Sequence, residues 1–209
     1  MTTPFRRRRA DRSRTGAAAD LLAVGLGNPG REFKDTRHNV GADAVALVAT
    51  RRERTLRSEK NTSSFATEVV VEGRRLALAV PDTYMNDSGI AVAALVRRFS
   101  ISDLSALVVV HDELDLPVGV VRVKLGGGTA GHNGLRSIEQ HLHTLEFARL
   151  RIGIGKPPGR MPGADYVLRR PAPSEVEAIR AAIEVAADTI ELIFERGLTA
   201  AMDSVNAPR

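Results

Sequence analysis

Cysteine is absent from the 209-residue sequence. This absence excludes a disulfide framework, a thiolate zinc site and a cysteine nucleophile, and it fits a reducing compartment, so we expect a cytoplasmic protein. Tryptophan is absent too, and aromatic residues make up only 4% of the chain, so the core must consist mainly of aliphatic side chains. The sequence has no apolar run of roughly 18 residues, which predicts that no segment spans a membrane.

Positive charge is concentrated at the start of the chain. The net charge is +5, and residues 1–19 contain six arginines and one aspartate, whereas residues 20–209 contain 24 basic and 24 acidic side chains. The first stretch has little apolar surface and lacks the apolar region of a secretion signal, so we interpret residues 1–19 as a disordered basic tail. Residues 20–209 have the length of one domain.

A second basic stretch lies inside that domain. Residues 122–170 carry nine basic and three acidic side chains. Such a stretch favours an anionic partner such as nucleic acid. It is also typical of a solvated surface balanced by an acidic helix, and residues 171–209 are acidic, so charge alone leaves both interpretations open.

The spacing of apolar residues predicts the elements of the domain. We expect strands at 21–26, 65–72, 75–80, 106–110, 118–125 and 148–154, and helices at 40–53, 88–99, 131–142 and 174–195. Gly73 separates two strand-like runs and predicts a hairpin. Ser174 and Glu177 form a capping-box pattern at the start of the last helix. Interleaved strands and helices with one hairpin predict an α/β fold, a single domain with a twisted mixed β-sheet flanked by helices.

Three polar loops are candidates for chemistry: residues 25–39, residues 81–89, and residues 111–115 together with 126–134. Several familiar motifs do not explain them. Gly25, Gly27 and Gly30 match G-x-G-x-x-G, but the predicted helix begins about ten residues too late for a dinucleotide site. The three glycines at 126–128 lack the Gly-Lys-Ser/Thr of a phosphate-binding loop. The acidic residues near His111 and the pair His141 and His143 lack the spacing of a helical zinc site, so we favour a site without metal.

What remains is one histidine, one aspartate and three asparagines in or beside these loops. His38 beside Asp112 would suit general base catalysis on water. Asn28, Asn86 and Asn133 offer uncharged donors and acceptors, which suit an amide backbone or an oxyanion. Asparagine also tolerates turn geometry well, which explains any one of them without a function.

These residues lie in motifs that together resemble the bacterial-type peptidyl-tRNA hydrolases, a family also found in organelles. The resemblance covers residues 20–197. In chain order the motifs are G-L-G-N-P-G, T-R-H-N-V-G, T-Y-M-N-D-S-G, H-D-E-L-D-L-P-V-G, K-L-G-G-G-T-A-G-H-N-G-L-R-S-I and R-L-R-I-G-I-G-K-P.

The resemblance implies hydrolysis of the ester that joins a peptide to the terminal ribose of tRNA, which recycles tRNA from abortive translation. It also implies a monomer that acts on the acceptor end of peptidyl-tRNA without a metal, a cofactor or a membrane. By position, the catalytic residues would be His38 as general base, Asp112 as its orienting acid, and Asn28. The substrate-binding residues would be Phe33, Met85, Asn86, Gly131, His132 and Asn133.

On the RNA side, the resemblance assigns phosphate contacts to Lys124 and Arg151, and residues 159–166 resemble a mobile flap beside the cleft. Phe33 stands where the family usually has tyrosine, and Ala42 where it usually has an aromatic residue. Two alternatives stay open: a non-catalytic RNA-binding module, a use that plastid relatives make of the fold, and an unrelated small-molecule esterase.

Overall fold

A computed structural model describes residues 18–207. The tail predicted at 1–19 falls almost wholly outside this range, so it and the domain boundary at residue 20 stay predictions. The strands are β1 (Leu21–Gly25), β2 (Arg57–Glu59), β3 (Ser64–Val71), β4 (Arg74–Pro81), β5 (Leu107–Glu113), β6 (Val121–Leu125) and β7 (Ala148–Gly153). The helices are α1 (Val40–Arg51), α2 (Ser88–Arg98), α3 (Asn133–Leu142), α4 (Gly163–Val167), α5 (Val176–Arg196) and α6 (Leu198–Val205).

The strands form one mixed sheet in the order β2-β3-β4-β1-β5-β7-β6. The pairs β4–β1, β1–β5 and β5–β7 are parallel, and the two edges of the sheet are antiparallel. Because β1 and β5 are parallel, with Gly25 opposite Val110, the loops that follow them leave from the same edge of the sheet. The predicted fold class, a single α/β domain with a mixed sheet, is confirmed.

Helices cover both faces of the sheet, which explains why its central strands are apolar throughout. Leu21 and Ala23 of β1 pack with α1, α5 and α6, whereas Leu22 and Val24 pack with α2 and α3. Every residue of β5 is buried. A strand covered on both faces has no polar side, so it reads as a continuous apolar run.

The predicted hairpin is present between β3 and β4, where Val71 pairs with Arg74. Glu72 and Gly73 form its two-residue turn with φ values of 51° and 80°. Positive φ at both central residues matches the right-handed twist of the two strands, and glycine at the second position adopts it without strain.

Several element boundaries differ from the sequence prediction, and three of these differences lie near the candidate site. The strand β5 continues to Glu113, so Asp112 lies within the sheet and not beyond its last strand residue. The helix α3 begins at Asn133, after a loop with three glycines at positive φ. The predicted cap at Ser174 is wrong: α5 begins at Val176, and the carboxylate of Glu175 instead accepts hydrogen bonds from the Ala172 amide and from Arg37.

Within residues 18–207, no helix combines the length and the apolar character needed to cross a bilayer.

Candidate active site

His38, Asp112 and His132 meet at the edge where β1 and β5 end. The Nδ1 atom of His38 lies 2.8 Å from Oδ1 of Asp112, and Nε2 of His132 lies 3.0 Å from the same oxygen. Asp112 is 3% exposed and His38 is 8% exposed. The three side chains therefore form one buried, hydrogen-bonded cluster in which a single carboxylate oxygen serves two imidazoles.

Two glycines bring His38 to Asp112. His38 lies in the short 3-10 turn Arg37–Asn39, which leads directly into α1. A Cβ atom at Gly41 would lie 2.2 Å from the carbonyl oxygen of Val110, and one at Gly25 would lie 2.2 Å from the carbonyl oxygen of Gly41. Only glycine permits these approaches, so the start of α1 rests directly on the ends of β1 and β5.

The hydrogen bonds give the two imidazoles different protonation patterns. An ionised carboxylate only accepts, so His38 donates through Nδ1–H and His132 through Nε2–H. This leaves Nε2 of neutral His38 as a lone pair that can take a proton. The Nδ1 atom of His132 instead accepts a hydrogen bond of 3.4 Å from the amide of Leu135, as the cap of α3. His38 is therefore the better placed base.

The charge of Asp112 is maintained by its neighbours. Burial alone would raise its pKa, but the attraction and hydrogen bonds of His38 and His132 outweigh burial and hold the pKa below its usual range. His111 behaves oppositely: burial lowers its pKa to about 3, with the His132 imidazole adding to the shift. Its ring donates to the carbonyl oxygen of Asp112 at 2.6 Å and stays neutral. Asp112 is thus the ionised acceptor of the cluster.

Asn28 joins the loop after β1 to the loop after β4. Its side-chain oxygen accepts a 2.8 Å hydrogen bond from the amide of Met85, so its NH₂ group remains as a donor. Asn39 fixes the Asn28 backbone from both sides, accepting from its N–H at 2.9 Å and donating to its carbonyl at 3.0 Å. Sequence reasoning missed Asn39, although it stands next to His38 in the T-R-H-N motif.

The other predicted peptide-binding residues fall around these loops. Met85 is buried, and Asn86 after it is exposed. The Phe33 ring meets the Tyr84 ring edge to face, with 6.2 Å between centroids. A Cβ at Gly134, beside Asn133, would lie 2.6 Å from the Met85 sulfur. The loops after β1 and β4 and the start of α3 therefore adjoin.

A cavity of about 190 Å³ opens beside the cluster. Gly131, His132 and Asn133 contribute to its lining together with His38 and Asp112. The rest of its lining comes from Leu114, Ala130, Gly163, Ala164 and Val167, together with the polar side chains of His111 and Glu113. His38 thus faces a partly open cavity with both polar and apolar sides.

Lys124 and Arg151 lie on the two strands at the far edge of the sheet. The strand β6 alternates V-R-V-K and β7 alternates A-R-L-R-I, so each places its apolar residues against α5 and α6 and its cations on the opposite face. Burial and the charges of Arg151 and Arg149 lower the pKa of Lys124. Among the basic residues of β6 and β7, Arg151 lies nearest to an acidic side chain, with 3.6 Å between its Nη1 and the Glu113 carboxylate.

Arg149 was not among the predicted site residues. It is 1% exposed, and its guanidinium donates to the carbonyl oxygens of Gly127 and Gly128. It therefore supports the glycine loop that leads to His132 and Asn133. The R-L-R pattern of β7 was the available signal, since residues two apart on a strand share a face.

Within residues 18–207, His38, Asp112 and His132 are the only group of histidine and acidic side chains close enough to share a metal ion, with ligand atoms within 4.8 Å of one another. A metal on Nε2 of His132 would require a proton on Nδ1, where the Leu135 amide already donates. The geometry therefore favours N–H···O hydrogen bonds here. The absence of a metal from the working enzyme stays a prediction.

The sheet order and the buried histidine–aspartate pair define an α/β protein with the parts of a water-activating hydrolase. A family model described as peptidyl-tRNA hydrolase matches residues 22–209. The chain belongs to the peptidyl-tRNA hydrolase family, which confirms the family predicted from the motifs.

Individual relatives agree with the family match. Peptidyl-tRNA hydrolase of Rhodococcus erythropolis is 47% identical over 185 residues, which cover 88% of this chain and 97% of that protein. The Mycobacteroides abscessus peptidyl-tRNA hydrolase is 45% identical over 187 residues, with 90% and 95% covered. The crystal structure of peptidyl-tRNA hydrolase from Acinetobacter baumannii superposes with a TM-score of 0.84 at 37% identity, covering 93% of this chain and 99% of that one.

Proposed function

We propose that this protein hydrolyses the ester between the peptide and the tRNA in peptidyl-tRNA, with His38 as the general base. The observation that carries the proposal is the 2.8 Å contact between Nδ1 of His38 and the ionised Asp112, inside a chain of the peptidyl-tRNA hydrolase family. The product would be a free tRNA that can be charged again. The natural substrate would be peptidyl-tRNA left by abortive translation.

The reaction begins with one proton transfer. Nε2 of His38 takes a proton from water as the water oxygen attacks the ester carbonyl carbon, and Asp112 stabilises the imidazolium that forms. The tetrahedral intermediate then collapses, the bond to the ribose oxygen breaks, and His38 returns its proton to that oxygen. A positioned base of this kind contributes about 10²- to 10⁴-fold in rate.

The oxyanion of the intermediate needs donors that are already in place. Asn28 is suited to this role because the Met85 amide occupies its side-chain oxygen and leaves the NH₂ group to donate. Asn133 adjoins His132 in the cavity lining and would hold the attacking water. Oxyanion donors lower the barrier most where the protein holds them rigidly, which the Asn28–Asn39 pairing provides.

The two ends of the substrate call for different contacts. Met85, Asn86 and Phe33 would bind the peptide, where amide and apolar groups suit an N-acylated residue better than a charged α-amino group. Gly131 and His132 would lie beside the scissile ester. Lys124 and Arg151 would contact phosphates near the acceptor end, and such contacts are electrostatic and independent of sequence.

The protein would act without a metal or cofactor, as a monomer and in the cytoplasm. Water, a base and oxyanion donors suffice to hydrolyse an activated ester, so the mechanism uses neither a metal nor a cofactor. The monomeric state follows from the family resemblance and belongs to the same proposal. The substrate arises during translation, which supports a cytoplasmic location.

The test compares two substrates that differ at one group. We expect the purified protein to release the N-acetyl amino acid from N-acetyl-aminoacyl-tRNA. It should release little amino acid from the same aminoacyl-tRNA with a free α-amino group. A short ester such as p-nitrophenyl acetate serves as the control for a small-molecule esterase. Equal cleavage of both tRNA substrates would contradict the selectivity, and cleavage of the short ester alone would contradict the function.

A further inference from the structure

The residue before His38 is a buried arginine, Arg37, that has no part in the proton transfers proposed for His38. Arg37 is 4% exposed and begins the turn Arg37–Asn39 that carries His38. A buried guanidinium is costly unless its N–H groups are bonded and its charge is paired. Its partners therefore show what the residue holds in place.

All of these partners lie more than 125 residues further along the chain. The side chain donates to the carbonyl oxygens of Arg169 at 3.2 Å and Arg170 at 2.8 Å, and its other terminal nitrogen pairs with the carboxylate of Glu175. The guanidinium carbon lies 4.1 Å from the centre of the Tyr166 ring. The backbone amide of Arg37 also donates to the Arg169 carbonyl at 3.1 Å.

Arg37 binds a segment, residues 157–170, that has little regular secondary structure. We call it the flap segment. It contains three prolines, and its one helix, α4, is five residues long. Among the described residues, its other hydrogen bonds to the domain run from the Tyr166 hydroxyl to the Ile154 carbonyl and from Arg170 to the Lys34 carbonyl. Arg37 therefore supplies much of its polar attachment.

The flap segment is also a wall of the cavity that His38 faces. Gly163, Ala164 and Val167 line this cavity opposite the cluster of His38, Asp112 and His132. The base and the cavity wall thus connect through one residue, because Arg37 is bonded covalently to His38 and non-covalently to the flap segment.

We propose that Arg37 is a positioning residue that fixes the His38 imidazole and the C-terminal end of the flap segment, residues 166–170, relative to each other. The inference rests on the proposed function, since the geometry it fixes is that of the base and its cavity. It predicts that loosening Arg37 displaces both partners: the flap segment becomes more mobile, and His38 loses the alignment that proton transfer requires. Misplacement of a reacting group by about 1 Å costs on the order of 100-fold in rate.

Lysine at position 37 isolates this role from that of charge. It can still pair with Glu175, but a single ammonium cannot span two carbonyls and an acid, nor stack flat on Tyr166. Arg37→Lys should lower kcat by about tenfold to a hundredfold, with little change in KM. Backbone amides of Tyr166 and Arg169 should exchange with deuterium faster than in the wild type.

Two further variants guard the interpretation. Glu175→Gln removes the charge partner while keeping an acceptor, and should show the same two effects more weakly. Arg51→Lys is the matched control, because Arg51 bridges α1 to the acids Glu184 and Asp188 of α5 on the exposed surface. It should change neither kcat nor exchange in the flap segment.

The outcomes separate this inference from the proposed function. Unchanged exchange in Arg37→Lys, or a lower melting temperature with kcat intact at a permissive temperature, would overturn the coupling. If the wild type released no peptide from peptidyl-tRNA, the proposed function would fail, and exchange alone would judge the coupling: faster exchange supports it and unchanged exchange contradicts it.

Discussion

Two groups of charged residues in this protein differ in how completely their charges are satisfied. Around Asp112, one buried carboxylate oxygen accepts from His38 and His132 at 2.8 and 3.0 Å. On the strands β6 and β7, Lys124 stands directly opposite Arg149, and Arg122 stands opposite Arg151. Like charges opposite one another on a sheet destabilise it, and the nearby acid Glu113 is 3.6 Å from Arg151.

The difference indicates which interactions each group of charged residues still lacks before substrate binds. The Asp112 cluster already has the hydrogen bonds that its chemistry requires, so it needs no reorganisation when substrate arrives. Arg122 and Arg149 donate to backbone carbonyls, whereas Lys124 and Arg151 would gain a counter-charge when an anion binds, which suits recognition of a phosphate backbone. Substitutions in the first group should therefore act on kcat, and substitutions of Lys124 and Arg151 on binding and its salt dependence.

The largest effect is expected from removing the base. His38→Ala should lower turnover of peptidyl-tRNA by about 10²- to 10⁴-fold, because both nitrogens of His132 are already in hydrogen bonds and burial lowers the pKa of His111 to about 3. Binding of tRNA, followed by filter retention or anisotropy, should persist. His141→Ala is a matched control, since His141 bonds the Ser137 carbonyl within α3. A His38→Ala enzyme with wild-type turnover would exclude His38 as the base.

Asp112→Asn should follow closely in size. An asparagine has the same shape but no negative charge, and its NH₂ group donates where the carboxylate only accepts. His38 therefore loses its fixed tautomer and the stabilisation of its charged form. We expect kcat to fall by about 10²-fold or more with KM little changed. An Asp112→Asn enzyme that lost affinity while keeping kcat would place Asp112 in binding.

The same substitution makes a prediction about pH. Folding lowers the pKa of Asp112, so its ionised form stabilises the fold above the unfolded value of about 3.9, and this stabilisation is lost as pH falls toward the lower folded value. The wild type should therefore lose its stability advantage over Asp112→Asn below about pH 4. Denaturant melts at pH 7 and at acid pH measure this; an advantage that persisted at acid pH would contradict it.

The central strands could be predicted because a strand that is buried on both faces of the sheet has a short, continuous apolar sequence. Continuous apolar runs indicate the buried strands β1 and β5, and alternating apolar and charged residues indicate β6 and β7. The polar strand β2 could not be found this way, because Arg57–Glu59 is held by pairing with β3 and not by an apolar face.

The candidate site was predictable only in part, for a physical reason. Motifs point to side chains that would touch substrate, such as His38 and Asn28, but the residues that hold them in place act through contacts distant in sequence. Arg37 is bonded to Glu175, far along the chain, and Arg149 to carbonyls of the glycine loop. The sequence pattern at Ser174 and Glu177 predicts a capping box, but α5 begins two residues after Ser174, and the Glu175 side chain pairs with Arg37. Such partners depend on the folded topology.

The smallest effect on turnover, and the sharpest test of the contrast between the two groups, comes from the cations. Lys124→Ala and Arg151→Gln should each raise KM for peptidyl-tRNA while leaving kcat near the wild-type value, because they remove attraction to phosphates and not chemistry. Each lost phosphate contact should also reduce the slope of log K against log salt by about 0.7 to 0.9.

The salt slope separates a phosphate contact from a merely structural cation. Arg122→Gln provides the comparison, because Arg122 lies on β6 with Lys124 and opposite Arg151 but donates to the carbonyls of Val121 and Val205. It should leave the slope unchanged. If Lys124→Ala and Arg151→Gln lowered kcat with an unchanged slope, the two groups would not divide binding from chemistry, and Arg151 would instead act through Glu113 on the neighbouring Asp112.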